Sequence, residues 1–536
     1  MHAGERFPGG PEPADVRTLL QPKENRETRP AARRWQAVAA WVAGGLVLFA
    51  FFLRISFGER VDSDGANSAL QAWDLVHGHL MLHGWILGDA TFYAFELPLN
   101  GIVQLLSGVG NLAAHIGSAL TYLIVAACAA ALAVTSSRGP ARAVRCAVVV
   151  AVLAAPLLAG APILALLEEP DHIGTSIFLL VTFLLIDRVP DRRFTAPLVC
   201  LILCAGQLSD LTVRYVAVPA VVLVCGYRVL AARKLRSGDT ALVAAAVVSV
   251  PLESVLRAAM VHFGAFVMVP PKARLSSPRL WPQHASVTWL DVRLLFGSVA
   301  GPGTKLGGAG AAFGLICLLA ALFGLARVIW TWRRASRAEQ LLFAAIVFNV
   351  GTYLVSVMPS PHGSREVAAV LPCGAVLAAR ALVPARITGM SRAFAAVAAA
   401  GLIALLPLAT AATRPPMSPA TAPLAAWLEA HGLTYGIAGY WDASIVTLQS
   451  GNRVQIRAVD LWRNIDAPGW ESNALWYNAS RYDATFAVAD YHGTYPAAHF
   501  EHFLGKPAAT YRVASWLVLV YRTNLLQRIA PRPGPY

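Results

Sequence analysis

Residues 35–57 read WQAVAAWVAGGLVLFAFFLRISF, and Asp62-Ser63-Asp64 follows five residues later. At roughly 1.5 Å of rise per residue, an apolar helix of this length crosses a bilayer core of about 30 Å. Arg33 and Arg34 stand immediately before it and hold its start in the cytoplasm. The two aspartates therefore emerge on the outer face. The run is longer than a signal-peptide core, and Gly58-Glu59-Arg60 offers no small-residue cleavage pattern, so it reads as an anchor that stays.

The rest of the chain repeats this pattern. Of 536 residues, 56% are hydrophobic and only 14% charged, and the mean hydropathy is +0.54, so the composition is that of a polytopic α-helical membrane protein. About eleven spans are expected, near 35–57, 111–134, 146–166, 174–186, 194–210, 213–232, 239–262, 307–330, 340–358, 367–385 and 393–412. Arg138, Arg142 and Arg145, then Arg188, Arg192 and Arg193, then Arg228, Arg233, Lys234 and Arg236, then Arg333, Arg334 and Arg337, then Arg386 and Arg392 all fall on the side of Arg33 and Arg34. That side is the cytoplasmic one. The formal charge of +14 follows from this topology, because the basic residues lie between apolar stretches and cover no single face, which excludes a nucleic-acid partner.

Three domains are expected: a disordered cytoplasmic tail over 1–34, a membrane domain over 35–412 whose first outer loop is 58–110, and an extracytoplasmic α/β domain over 413–536. In the last, 421–431 reads as a helix, and strand-like runs lie at 435–439, 453–459, 484–489, 511–513 and 516–521. Trp441, Trp462, Trp470, Trp476 and Tyr477 can stack on sugar rings, although core packing accounts for most such aromatics. The cysteines lie in or beside the spans and form neither a disulfide framework nor a zinc pattern. Gly310 and Gly314 read as a close helix contact. Gly301-Pro302-Gly303-Thr304-Lys305 lacks the spacing of a phosphate-binding loop.

The outer side gathers acids. Asp62, Asp64, Asp74, Asp89 and Glu96 fall in the first loop, Glu168-Glu169-Pro170-Asp171-His172 fills the second, and Asp210 and Asp291 lie on the same side. Carboxylates this close repel unless a cation, a proton or a basic partner intervenes, so the second loop is either a solvated turn or part of a charged site. From Ala66, residues Ala69, Leu70, Trp73, Val76 and Leu80 recur at helical spacing, as in an amphipathic helix lying along the membrane surface. Ser63 or Asp64 can serve merely as its N-cap. Arg214, Lys272, Arg274, Arg279, Arg293 and Arg365 are outer cations that run against the positive-inside trend, and an anionic lipid phosphate needs such groups. Glu253 and Arg257, four apart near the outer end of a span, are expected to pair.

Asp62-Ser63-Asp64-Gly65-Ala66, followed by Ala69, Ala72, Leu75 and Gly78, resembles the first outer loop of the GT-C superfamily of polyprenyl-phosphate-sugar glycosyltransferases, which includes protein O-mannosyltransferases and lipid A aminoarabinose transferases. Gly65 departs from the pattern, standing where many relatives carry a second acid. The second acidic loop is similar in position to the second acidic motif of oligosaccharyltransferase-like members. Ser364-Arg365-Glu366 before Leu371-Pro372 resembles the Arg-Tyr segment ahead of a late span, with Glu366 in place of the aromatic residue. The resemblance implies a membrane glycosyltransferase of the plasma (inner) membrane of a bacterium, moving a sugar from a polyprenyl-phosphate donor to a cell-envelope glycan, lipid or protein. Asp64 would be the base. Asp62 would orient it or help to hold a divalent cation (Mg or Mn), with Asp64 and Asp171 as further metal ligands and Glu168, Glu169 and His172 approaching from the second loop. Arg365, with Lys272, Arg274 and Arg293, would bind the lipid phosphate. Two rivals stay open: a transporter or lipid-linked sugar flippase, which needs ionisable groups at mid-membrane and usually internal repeats, and a catalytically inactive scaffold of the same fold.

Overall fold

The structure, a computed structural model, describes residues 28–160, 166–167, 172–189, 193–233, 237–269, 274–299, 307–360, 363–490 and 495–530. Among the described residues, fourteen helices precede the C-terminal part: α1 Thr28–Ser56, α2 Ser63–Val76, α3 Glu96–Ser107, α4 Asn111–Ala133, α5 Pro140–Ala159, α6 His172–Arg188, α7 Thr195–Ser209, α8 Thr212–Ala232, α9 Gly238–His262, α10 Trp281–Leu295, α11 Gly307–Trp330, α12 Arg337–Val355, α13 Val370–Leu382 and α14 Met390–Ala411. Three more lie within that part: α15 Ala422–Ala430, α16 Tyr440–Gln449 and α17 Ala497–Leu504.

Among the described residues, eight helices are long and apolar enough to cross a membrane: Val38–Ser56 of α1, α4, α5, α8, α9, most of α11, α12 and α14. The chain is a multi-pass membrane protein. Leu315, Ile316, Phe323, Phe394, Leu402 and Leu406 stand exposed on such helices, as side chains that face lipid do. Each of the eleven expected spans holds a helix among the described residues, but those near 174–186, 194–210 and 367–385 are α6, α7 and α13, with 17, 15 and 13 residues. At 1.5 Å per residue these are only about 26, 23 and 20 Å long. α13 stops because Pro384 forces Val383 into extended backbone. It is buried from Val370 to Arg380 and packs on α4, α5, α11 and α12, so protein surrounds it on all faces. Gly310 and Gly314 do mark close contacts: a Cβ at Gly314 would meet the Gly297 carbonyl at 2.3 Å.

One end of the helix array is held by arginines. Arg145 donates to the carbonyls of Val383 and Ala133, and Arg380 to that of Leu132, which satisfies carbonyls that α4 leaves free at its C-terminus. The other end carries α2, α3 and the C-terminal part. Strands β1 Trp85–Leu87 and β2 Val267–Met268 come from the connections after α2 and α9. Strands β3 Tyr435–Ala438, β4 Gln455–Ala458, β5 Asp460–Leu461, β6 Ile465–Asp466, β7 Ser472–Asn473, β8 Phe486–Asp490, β9 Ala509–Val513 and β10 Trp516–Val520 come from the C-terminal part. A five-stranded mixed sheet has the order β4-β3-β8-β10-β9, and a smaller sheet has the order β2-β1-β7. The second sheet joins both regions: Ile86 pairs with Val267 on one side and with Ser472 on the other.

α2 does not lie free as a surface helix. Ser63, Gly65, Ala66, Asn67, Ser68, Ala69, Leu70, Gln71, Ala72 and Leu75 are buried, and the helix packs on α3, α4 and α16. Its small residues let backbones approach from several sides. It ends at Val76, so Leu80 lies beyond it and is exposed.

Candidate active site

Asp62 caps α2: its backbone is extended and its Oδ1 accepts the Gly65 N–H at 3.0 Å. The cap thus falls one residue before Ser63 and two before Asp64, the caps that the sequence offered as an alternative, and both of these side chains turn elsewhere. Ser63 Oγ donates to the Tyr440 carbonyl at 2.9 Å. Asp64, in the first turn, accepts a short hydrogen bond from the Tyr440 hydroxyl, and Ser444 Oγ donates to Asn67 Oδ1 at 2.6 Å. The start of α2 is therefore locked to the start of α16. Burial pushes the Asp64 carboxyl above the usual range, the Tyr440 hydrogen bond pulls it back, Asp62 adds to the rise and Arg365 opposes it.

The Tyr440 hydroxyl has a second neighbour, Glu471 Oε2 at 3.2 Å. Glu471 is 8% exposed. Burial first, then the charges of Asp64, Asp62 and Asp89, hold its carboxyl well above the ordinary range. Gly88 makes room for it: a Cβ there would come within 3.0 Å of Glu471 Oε1.

The Arg365 charge also acts on Asp64. Arg365 sits in a 3₁₀ turn, Gly363–Val367, ahead of α13, and that turn is tied down on α12. Asn349 donates to the Glu366 carbonyl at 2.9 Å. Tyr353 donates to Asp291 Oδ2 at 2.9 Å and accepts the Ser360 N–H at 3.2 Å. The Tyr353 hydroxyl fills the space where a Cβ on Gly363 would stand, 1.9 Å away.

Beside this turn, a cavity of about 270 Å³ is lined by Asp89, His172, Asp210, Arg274, Tyr353 and Glu366, with Leu211, Leu275, Val355 and Met358 as its apolar wall. Asp210 is the buried anchor at its base. It accepts from His172 Nδ1 at 2.6 Å, Thr175 Oγ1 at 2.6 Å and the Thr212 N–H at 2.8 Å. These bonds and the imidazole charge overcome burial and lower its carboxyl to about 2. His172 Nε2 lies 3.6 Å from Glu366 Oε2.

No protein-family model matches this sequence, and no curated protein does. Solved structures do. ArnT from Cupriavidus metallidurans bound to undecaprenyl phosphate aligns over 93% of this chain and 99% of its own, with a TM-score of 0.55 at 14% identity. In the apo state the same protein gives 0.56 at 13%, over 94% of this chain and all of that one. The Archaeoglobus fulgidus oligosaccharyltransferase in its apo form gives 0.45 at 12%, over 83% and 69%. The chain has the GT-C fold.

Within this GT-C fold, the charges of Asp62 and Arg365 both act on Asp64, while His172 and Arg274 line the cavity. Arg293 lies in the last turn of α10 and does not line that cavity. Glu168, Glu169, Asp171 and Lys272 lie outside the described residues, as do the 301–305 loop and residues 1–27 of the tail. Among the described residues, no group of three or more His, Cys, Asp or Glu side chains is placed to hold a metal ion. Asp62 Oδ1 is committed to its cap and Asp64 Oδ1 to Tyr440, which leaves each carboxylate its second oxygen for a further ligand. Trp476 and Tyr477 are core residues: Trp476 packs edge-on to Trp85, and the Tyr477 hydroxyl donates to the Ala458 carbonyl. Trp441 and Trp462 are exposed. Tyr440 and Glu471 escape a reading of the sequence, since no local pattern marks either; the neighbouring Trp441 and Trp470 are the nearest signal.

Proposed function

We propose that this chain is a membrane glycosyltransferase that moves a sugar from a polyprenyl-phosphate carrier to a cell-envelope acceptor, with Asp64 as the base. The observation that carries this reading is a half-buried carboxylate at a helix start with the Arg365 guanidinium in its field, on a fold shared with a protein whose structure holds undecaprenyl phosphate.

The chemistry needs little else. The acceptor oxygen or nitrogen forms a bond to the sugar C1 as the bond from C1 to the phosphate oxygen breaks. The electron pair leaves with the phosphate, and the acceptor proton passes to Asp64. Arg365 and Arg274 supply positive charge for the leaving phosphate, and Leu211, Leu275, Val355 and Met358 offer an apolar wall to the prenyl chain. Trp441, exposed and edge-on to Tyr440, is available to stack on a sugar ring. The arginine-rich end then faces the cytoplasm, residues 413–536 form an extracytoplasmic domain, and residues 1–34 a cytoplasmic tail.

Mass spectrometry of cell-envelope glycans with and without the gene identifies the sugar and its acceptor. With the purified chain and that donor, Asp64→Asn is expected to lose roughly 10²-fold or more in kcat while binding the carrier lipid as before, and Arg365→Ala to raise the donor KM. Transfer by Asp64→Asn at the native rate overturns the reading. So does a native protein that moves the intact lipid across vesicles without transferring its sugar, which is flippase behaviour.

A further inference from the structure

The Tyr440 hydroxyl touches two carboxyl groups but has one proton. If it donates to Asp64, its contact with Glu471 Oε2 at 3.2 Å is a hydrogen bond only when Glu471 supplies the proton. Two ionised carboxylates here would leave lone pair against lone pair in a buried site, at the cost of an unsatisfied polar contact.

We propose that Tyr440 and a protonated Glu471 are positioning residues for Asp64: the Glu471 carboxyl donates to the Tyr440 oxygen, and the Tyr440 hydroxyl donates to Asp64 Oδ1. This rests on the reading of Asp64 as the base. The relay fixes the Asp64 carboxylate by one oxygen and leaves Oδ2 for the acceptor. No proton leaves Glu471 during the reaction; its role is to keep the tyrosine hydroxyl pointed at Asp64.

Four observations converge on this. The charges that act on Glu471 are negative, from Asp62 and Asp64 at the start of α2 and Asp89 after β1, and among the described residues no cation pairs with it. The neutral form is the one such a site favours. Glu471 also adopts left-handed backbone, with φ +43°, which costs on the order of 1 kcal/mol in a residue with a Cβ. It is held there because Ser472, the next residue, pairs with Ile86 in the sheet of β2, β1 and β7. Gly88 leaves the space that its carboxyl needs. Finally, Tyr440 is fastened from both ends, since its own carbonyl accepts from Ser63 Oγ.

The test compares Tyr440→Phe, Glu471→Ala and Glu471→Gln in the full chain. Glutamine keeps a neutral donor at the same place, so Glu471→Gln is expected to stay within about threefold of the native kcat, while Tyr440→Phe and Glu471→Ala each lower kcat by about 10²-fold with the donor KM unchanged. In the native protein kcat falls at alkaline pH as Glu471 ionises, and in Glu471→Gln that limb disappears. A Gln variant as impaired as the Ala variant, or a Tyr440→Phe enzyme with native kcat, overturns the relay. Infrared spectroscopy tests it without activity: the stretch of a protonated carboxyl at neutral pH should be present in the native protein and missing in Glu471→Gln. Its presence in both removes Glu471 as the proton holder, even if Asp64→Asn shows that the base assignment stands. A lost stretch beside an Asp64→Asn enzyme of native rate leaves the pair in place and fails the base assignment alone.

Discussion

Replacing Asp210 should separate a charge requirement from a packing requirement at the base of the cavity. Asp210 is 3% exposed and accepts three hydrogen bonds from three directions, tying α6 to the junction of α7 and α8. Alanine leaves His172, Thr175 and the Thr212 N–H without that acceptor. Removing one partner of a buried charged pair costs about 3–5 kcal/mol. Asparagine is a different case. Its Oδ1 can keep the Thr212 N–H, and its amide group then faces Thr175 Oγ1 and His172 Nδ1, both of which accept once the hydroxyl turns and the imidazole carries its proton on Nε2. The loss then shrinks to about 1 kcal/mol. pH supplies the second axis. Asp210 is held at about 2, below its ordinary 3.8, so its contribution is complete above 3.8 and is lost as pH falls through 2. The asparagine variant should show a flatter stability curve across that window. Unfolding in mixed micelles, followed by tryptophan fluorescence, gives both quantities. An alanine variant within about 0.5 kcal/mol of the native protein, or equal losses in both variants, would refute the claim that the three donors depend on this carboxylate.

Three further substitutions test helix packing and a buried ion pair by the same unfolding measurement. Gly174→Ala on α6 places a Cβ 1.9 Å from Glu96 Oε1 and should destabilise by about 1–3 kcal/mol, whereas Gly226→Ala on α8, with nothing within 4 Å of its Cβ, should be neutral or gain up to about 1 kcal/mol; equal effects would show that α6 has room to shift. Glu253→Gln leaves Arg214 and Arg257 without the carboxylate that both engage, Arg257 at 3.1 Å, and should cost about 1–3 kcal/mol, with no loss expected if Arg257 alone matters as a solvated charge.

Much of this architecture is legible in the sequence because lipid enforces it. Each expected span holds a helix among the described residues, since an apolar run in a bilayer has few other ways to satisfy its backbone, and Arg145 and Arg334, from two of the basic clusters, come to one end. The five strands of the main C-terminal sheet fall on the alternating runs near 435, 455, 486, 511 and 516. The Glu253–Arg257 pair forms as its spacing demands. What is local is readable, and what is not local is hidden. The small residues of α2 look like one face of an amphipathic helix, while α16, which covers them, lies more than 370 residues away. For the same reason Asp64 and Arg365 can be singled out, each in its own short motif, but Tyr440 and Glu471 acquire meaning only through contacts with Asp64. Asp210 is an ordinary helix-end acid until Thr175 and His172 surround it.

The placement of Tyr440 and Glu471 also bears on what the C-terminal part is for. A sugar-binding module appended to an enzyme meets its host through few contacts and can be removed with its own core intact. Here one hydrophobic core runs through both regions: Leu70, Trp85, Leu97 and Leu208 share it with Ile437, Trp476 and Phe500. Trp85 shows how closely they are joined, since its backbone pairs with Asn473, its ring meets Trp476 and its indole N–H donates to Asp74 Oδ2 at 2.8 Å. Residues 49–536 accordingly form one compact unit. On the proposed reading the proton acceptor comes from α2, the cation from the turn before α13, and the group that aims the acceptor from α16 and the residue before β7. Loosening the sheet of β2, β1 and β7 should therefore lower kcat before it lowers affinity for the lipid, because it moves Glu471 while leaving Arg365 and the cavity wall in place.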